Sequence, residues 1–520
     1  MGGGFDRFGE EGVRMHHTNR RMVSVAMMLA VFLVAIDVTV VSTAMPHIVR
    51  QLHGLNLYSW VFAIYTLTTC VTTPIYGKLA DLFGRRTIFC IGVVLFVIGS
   101  ALSGLSQNMA ELVWFRAFQG LGAGAVMPVT FTIIGDIFQG EERARMQGLF
   151  SSVWGVAGLL GPLVGGLFVD HVSWRWIFYI NVPVGALSLV LVLLFLHERF
   201  ERRQHRVDVW GALVFTIGVS SLLYALLNGG SKYAWTSAVI LGLFAASAVF
   251  LAAFVWIEAK VAEPILPLKL LSNPVIAVSD VLAFLAAFVL IGGNVYLPMW
   301  IQTILGHSAT NSGLTLMPMS LAWPLASTLS GRYMYRIGAK RTTVTGTLLV
   351  AVATAWLLAI KLGTPYWFFV GVMIVMGLGM GYLNTPTTVM IQSVVSWQMR
   401  GAATGSNQFA RALGQTIGVT VFGSLFNSIT ASYVRTNAPA GVNRGDLTQI
   451  LNNLSGGGQA AGIPAEVKRF VDGMLAHTLH DIFLAMFCVS LAIVVIAWFL
   501  PSHAKLMEQQ AKVQANRAHA

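Results

Sequence analysis

Charged residues are scarce in this sequence. Asp, Glu, Lys and Arg make up 10% of its 520 residues, against about 25% in a soluble domain. That excludes an ordinary water-facing surface over most of the chain. Cysteine is scarcer still: Cys70, Cys90 and Cys488 are the whole set, and all three fall within apolar runs. A disulfide framework and a cysteine metal centre are excluded, and the three read as small core hydrophobes. No glycine-rich phosphate loop follows a strand pattern, which excludes an ATP-driven pump. No enzyme chemistry, metal or cofactor is expected. Bases exceed acids by 33 to 21, yet they form no continuous basic stripe, so nucleic acid is not an expected partner.

What the chain has instead is apolar length. Hydrophobic residues make up 56% of it, more than a water-soluble core can hide. About fourteen stretches are long enough to cross ~30 Å of hydrocarbon as helix. They begin near Met22, Tyr58, Thr87, Met109, Gln147, Ile177, Val209, Ser237, Val275, Gly313, Thr343, Trp367, Ala402 and Ile482. The runs are continuous rather than alternating, which speaks against a β-barrel. The first is long and lacks a small-residue cleavage site, so it is expected to be a retained start-transfer helix. The expected class is an all-α polytopic membrane protein.

The bases orient it. With the N-terminus in the cytoplasm, about 23 bases fall on the cytoplasmic side and about four in short outer loops. Residues 1–21 and 501–520 are then cytoplasmic tails, and 431–479 is a long extracellular loop. Both ends lie inside, in a cell membrane expected to be bacterial.

Two motifs repeat. Gly77-Lys78-Leu79-Ala80-Asp81-Leu82-Phe83-Gly84-Arg85-Arg86 fills a short gap between spans, and Gly331 to Arg341 echoes it about 254 residues later. The echo carries Tyr335 where Asp81 would map. Gly120-Leu121-Gly122-Ala123-Gly124 is matched by Gly377-Leu378-Gly379-Met380-Gly381, about 257 residues on. Two related six-helix bundles are therefore expected at 22–198 and 274–500. Linkers and an inserted pair of helices lie between them, at 199–273.

Further segments carry a family resemblance. They are Asp37-Val38-Thr39-Val40-Val41-Ser42-Thr43-Ala44-Met45-Pro46, Arg116-Ala117-Phe118-Gln119-Gly120, the run Gly158 to Gly166 with Gly161-Pro162 and Gly165, and Trp174 to Pro183. In this order, with the loop motif, the chain resembles the major facilitator superfamily. More narrowly it resembles the fourteen-span drug:proton antiporters of the EmrB/QacA type. The resemblance implies a major facilitator fold with two inserted helices. It also implies export of lipophilic, mainly cationic, drugs or toxic small molecules in exchange for protons, by alternating access and with no cofactor beyond the proton gradient. Substrates, protons and membrane lipids are the expected partners of a monomer. Two alternatives stay open: a lipid or glycolipid flippase on the same fold, and a transport-dead receptor or scaffold.

The residues suggest how this would work. Asp37 and Arg116 fall at similar depth on antiparallel spans, where an isolated charge is costly, so they should pair or face a wet cavity. A carboxylate so placed can alternate between neutral and anionic forms. A permanently ionised pair that pins two helices is the plainer reading. In the loop motif, Gly77 and Gly84 permit a tight turn and close helix approach. Lys78, Arg85 and Arg86 obey the positive-inside rule. Asp81 is left to latch a neighbouring helix N-terminus or an arginine, closing a cytoplasmic gate. The motif around Gly158, Gly161, Pro162 and Gly165 permits close packing and a bend, and by resemblance favours efflux. Asp280 and Arg411 lie about 9–14 Å inside the cytoplasmic surface, where they can pair or reach the interface. Trp60, Phe62, Tyr65, Asn294, Tyr296, Asn384, Asn407 and Gln408 are cavity candidates, as aromatic faces for an organic cation or as polar contacts.

Overall fold

The computed structural model describes residues 18–52, 57–198, 208–230, 232–261, 263–306, 314–437 and 465–501. The outermost tails, the centre of the first linker and the middle of the outer loop lie outside the described residues.

Capping residues in the sequence start several helices. Helix α1 spans Arg20–Leu52, α2 Tyr58–Phe83, α3 Arg85–Leu105, α4 Met109–Ile137 and α5 Gly140–His171. At the start of α4, Asn108 accepts from the Glu111 N–H, and the Glu111 carboxylate reaches back to the Gln107 N–H at 2.8 Å. This satisfies donors that a helix start leaves open. A short α6, Trp176–Tyr179, leads into α7, Asn181–Phe195. Asp208 caps α8 (Val209–Asn228) and Ser237 caps α9 (Ala238–Glu258). After a single-turn α10 (Leu268–Leu271), Asn273 and Pro274 open α11, Pro274–Thr303. The chain continues through α12 (Met317–Ile337), α13 (Ala339–Leu357), α14 (Tyr366–Ser393), α15 (Arg400–Asn437) and α16 (Ala465–Ala497). The isolated bridge Gly229–Tyr233 is the sole β pairing among the described residues. The expected all-α class is what the structure shows.

Among the described residues, eleven segments are long and apolar enough to cross a membrane. The long helices α2, α12 and α13 fall short of that apolarity because they carry hydroxyl or basic side chains. In α2 the threonines bond carbonyls of the preceding turn, Thr73 to Thr69 at 2.7 Å for example. A hydroxyl satisfied this way can sit among apolar neighbours.

The internal repeat is visible in the backbone. Gly84 turns α2 into α3 at φ 91°, and Gly338 turns α12 into α13 at φ 93°, a region that favours glycine. The second glycine motif works in pairs. A Cβ on Gly122 of α4 would sit 2.6 Å from the Gly92 oxygen of α3, and one on Gly346 of α13 would sit 2.9 Å from the Gly379 oxygen of α14. Each half thus presses two backbones together where a side chain cannot fit. Gly122→Val should lower stability by about 1–3 kcal/mol through overpacking. A thermal melt of the purified variant with an unshifted midpoint would contradict this.

Buried residues of α1, α3, α4 and α7 form one core, and α11 to α16 form another. The halves meet where α2 crosses α15 and where α5 crosses α12. At the far end, residues 431–437 are the last turns of α15 rather than the start of the expected loop, and α16 begins at Ala465, as the sequence's helical reading of 464–480 leading into the last span would have it. Val471, Met474 and Leu475 pack there on Met299, Phe426 and Tyr433. This apolar stripe makes both segments helix rather than loop.

Candidate functional site

Asp37 is 1% exposed in the middle of α1. Burial of a carboxylate is tolerable only with full hydrogen bonding. Arg116 of α4 supplies an ion pair, Nη1 to Oδ2 at 2.5 Å. The Gln119 amide donates to Oδ1 at 2.9 Å, and the Asn181 amide of α7 donates to the same oxygen at 3.3 Å. Gln119 also accepts from Arg116 at 2.9 Å, and Asn181 donates to Ser100 of α3 at 3.0 Å. Tyr65 of α2 lies under the guanidinium, 4.1 Å from its ring centroid, an attractive placement for a desolvated cation. Groups on α4 and α7 therefore bond this carboxylate of α1 directly, and α2 and α3 support those groups. The sequence pointed to Asp37 and Arg116. It held Gln119 and Asn181 inside its motifs but gave no sign that both would reach Asp37.

A second cluster lies at the α2–α3 turn. Asp81 Oδ1 accepts from the Gly401 N–H at 3.0 Å, and Oδ2 from the Ala402 N–H at 2.8 Å. These are the first amides of α15, at its positive dipole end. The approach depends on glycine: a Cβ on Gly77 would lie 2.6 Å from the Gly401 oxygen. Arg85 donates to Asp81 at 2.8 Å and to the Trp397 carbonyl at 2.7 Å, with its guanidinium over the Trp397 ring. Asp136, at the end of α4, pairs with Arg85 at 2.9 Å and with Arg400 at 2.8 Å. Glu198 accepts from the Arg85 and Arg86 N–H groups at 3.1 and 3.0 Å. Arg143 caps the Phe138 and Gly135 carbonyls, and Gln392 of α14 donates to the Phe131 carbonyl of α4 at 3.1 Å. The two halves are locked at this end. Arg86 lies outside the lock and bonds the Leu193 carbonyl at 2.8 Å. Asp136, Arg400, Trp397 and Glu198 were not read from the sequence. An acid at the end of a span was the one available signal for Asp136.

The echo motif makes no such clasp. Gly331 of α12 lies against Ala144 of α5, where an added Cβ would be 2.8 Å from the Ala144 Cβ, and Tyr335 is exposed. The repeat preserves the close approach without the charge.

In α5, Gly161 faces Thr39 of α1 so tightly that no Cβ fits beside its hydroxyl, and Gly158 lies near the Ser320 hydroxyl of α12. Gly165 is buried, and the helix runs unbroken through Pro162.

Asp280 of α11 does not pair with Arg411, one of the two arrangements the sequence allowed. It accepts from Ser406 Oγ at 2.6 Å and Asn407 Nδ2 at 3.0 Å, both on α15. Ser406 had no signal beyond being polar in a span. The cavity candidates have the following neighbours. Trp60 packs on Tyr224 of the inserted helix α8, and Phe62 on Tyr58. Tyr296 packs with Phe422 and Phe426 in the core of the second half. Asn384 bonds its own helix at Met380. Asn294 and Gln408 are half-buried.

Residues 27–419 match the Major Facilitator Superfamily profile. The chain is 35% identical over 466 residues to a protein described as "Multidrug transporter protein MdtP" of Bacillus subtilis, covering 90% of this chain and 84% of that one. It is 34% identical over 502 residues to "Multidrug resistance protein 3" of the same organism, covering 95% and 97%. Its fold resembles the crystal structure of the human organic anion transporter MFSD10, with a TM-score of 0.60 at 13% identity, over 91% of this chain and 99% of that one. The chain belongs to the major facilitator superfamily. It is a polytopic membrane transporter rather than an enzyme, and small molecules are its substrates.

Proposed function

We propose that this transporter exports lipophilic small molecules, organic cations among them, across a bacterial cell membrane in exchange for protons. The observation that carries the proposal is the Asp37 carboxylate, buried in mid-span and held by groups from other helices. The relatives' names support drug export, and the fourteen helices of fifteen residues or more among the described residues fit the fourteen-span antiporters.

Protonation and the Arg116 pair are alternatives for one carboxylate. Asp37 takes a proton from outside and lets go of Arg116, which loosens α1 from α4 and lets substrate leave. The carrier turns inward, the proton departs, and the pair re-forms. A cationic substrate competes for the same oxygens. The lock at the α2–α3 turn is the closed cytoplasmic gate, both chain ends lie inside, and the conformation is outward-facing.

Inside-out vesicles bearing an acid interior test this. Ethidium and tetraphenylphosphonium should accumulate, each addition should release protons, and nigericin should abolish both effects. Accumulation indifferent to nigericin overturns proton coupling. Failure to accumulate any lipophilic compound overturns export.

A further inference from the structure

Two charges inside the spans, Asp280 and Arg411, have no ion-pair partner among the described residues. Asp37 is occupied by three side chains, and Asp280 by two. Arg116 is paired. Arg411, about a third of the way along α15, has no ion pair or hydrogen bond among the described residues, and its Nε is shielded from solvent with no acceptor. A guanidinium left so is expensive in hydrocarbon, and such a group faces protein or a wet cavity.

Its position on α15 says which way it faces. Asn407, Gly414 and Gly418 pack on α11. Gly405 packs on α2, and Phe409 lies with apolar residues of α2 and α8. Thr404, Gln408, Arg411 and Gln415 follow one another at intervals of four, three and four, a single helical stripe between those two contacts. Thr404 begins the stripe against Gln392 of α14, and α15 also touches α4. The stripe is thus turned toward the space between the halves. There it presents one positive fork flanked by two amides.

We infer that Arg411 is the substrate-binding group for an anionic function, and that carboxylate-bearing lipophilic molecules are a substrate class of this transporter. This rests on the export reading and narrows it: Asp37 handles the proton, while Arg411 receives the acid group of the cargo. A planar guanidinium binds a carboxylate through paired hydrogen bonds. Gln408 and Gln415 supply neutral donors on either side. Arg411 gains a directly bonded counter-charge only when the cargo brings one.

Equilibrium binding tests this without any gradient. The full chain is placed in phosphatidylcholine nanodiscs with radiolabelled deoxycholate or its methyl ester, below micelle-forming concentration. Charge-assisted hydrogen bonds are worth about 10- to 100-fold in affinity. The wild type should prefer the acid to the ester by at least ~10-fold. Arg411→Gln should erase that preference, and Arg411→Lys should keep part of it. The inference is overturned if the wild type shows no preference, if Arg411→Gln retains it, or if that variant loses acid and ester alike. A third arm adds phosphatidylglycerol. If this lipid displaces the acid, the guanidinium belongs to a headgroup and the substrate assignment fails. Intact acid preference alongside vesicles that export nothing would sink the export reading and spare Arg411.

Discussion

Asp37→Asn should abolish proton-coupled export, bringing drug-induced proton release below about 1% of wild type, because an amide cannot alternate between charged and neutral forms. The same change leaves Arg116 buried with Gln119 as its remaining side-chain partner and no counter-charge. Breaking a buried pair from one side costs about 3–5 kcal/mol. The single variant should therefore melt well below wild type. Asp37→Asn with Arg116→Gln should recover at least half of the lost stability while staying inactive. That split separates the two readings of the pair. A merely structural pair predicts that the double variant regains export together with stability, and such a result would refute the proton role.

Asp81→Asn should open the locked end. The carboxylate holds two amides of α15 and the Arg85 guanidinium at once, and its side chain is 1% exposed. The amide loses the charge that the helix N-terminus and Arg85 both favour. A loss of about 3 kcal/mol shifts a two-state balance by roughly 150-fold. Spin labels on Phe83→Cys in α2 and Tyr335→Cys in α12 can report it, since both positions are exposed, with Cys488→Ser removing the exposed native thiol. The distance distribution should lengthen, and the export rate should fall at least ~10-fold as the carrier lingers in the wrong orientation. An unchanged distribution would show that Asp81 is not the latch.

Most of the architecture could be read before any coordinates. Apolar length gave the spans, and the two glycine motifs gave the twofold repeat, later visible as matching turns at Gly84 and Gly338. Depth along antiparallel helices placed Asp37 beside Arg116. These succeeded because each depends on local chemistry: the cost of charge in lipid, the permissiveness of glycine, and the rise of a helix. The partners of Asp37 were harder. Gln119 and Asn181 sit on helices whose rotation about their own axes no linear pattern fixes, so their convergence on one oxygen pair was invisible. The neighbours of the aromatic candidates were hidden for a related reason: Trp60 lies on Tyr224 and Tyr296 on Phe422, contacts that depend on how the helices are rotated.

The sequence alone determined that the chain lives in a membrane, that its halves are related, and that a few charges are kept inside. Those are consequences of transfer free energy, which each residue carries with it wherever it lies. Tertiary structure alone decided which partner each charge takes. Asp81 reaches across to Gly401, 320 positions along the chain, Asp280 is taken by Ser406 and Asn407, and Arg411 has no hydrogen-bond or ion-pair partner among the described residues. Pairing depends on distances of a few ångströms between helices, and only the packed bundle sets those distances.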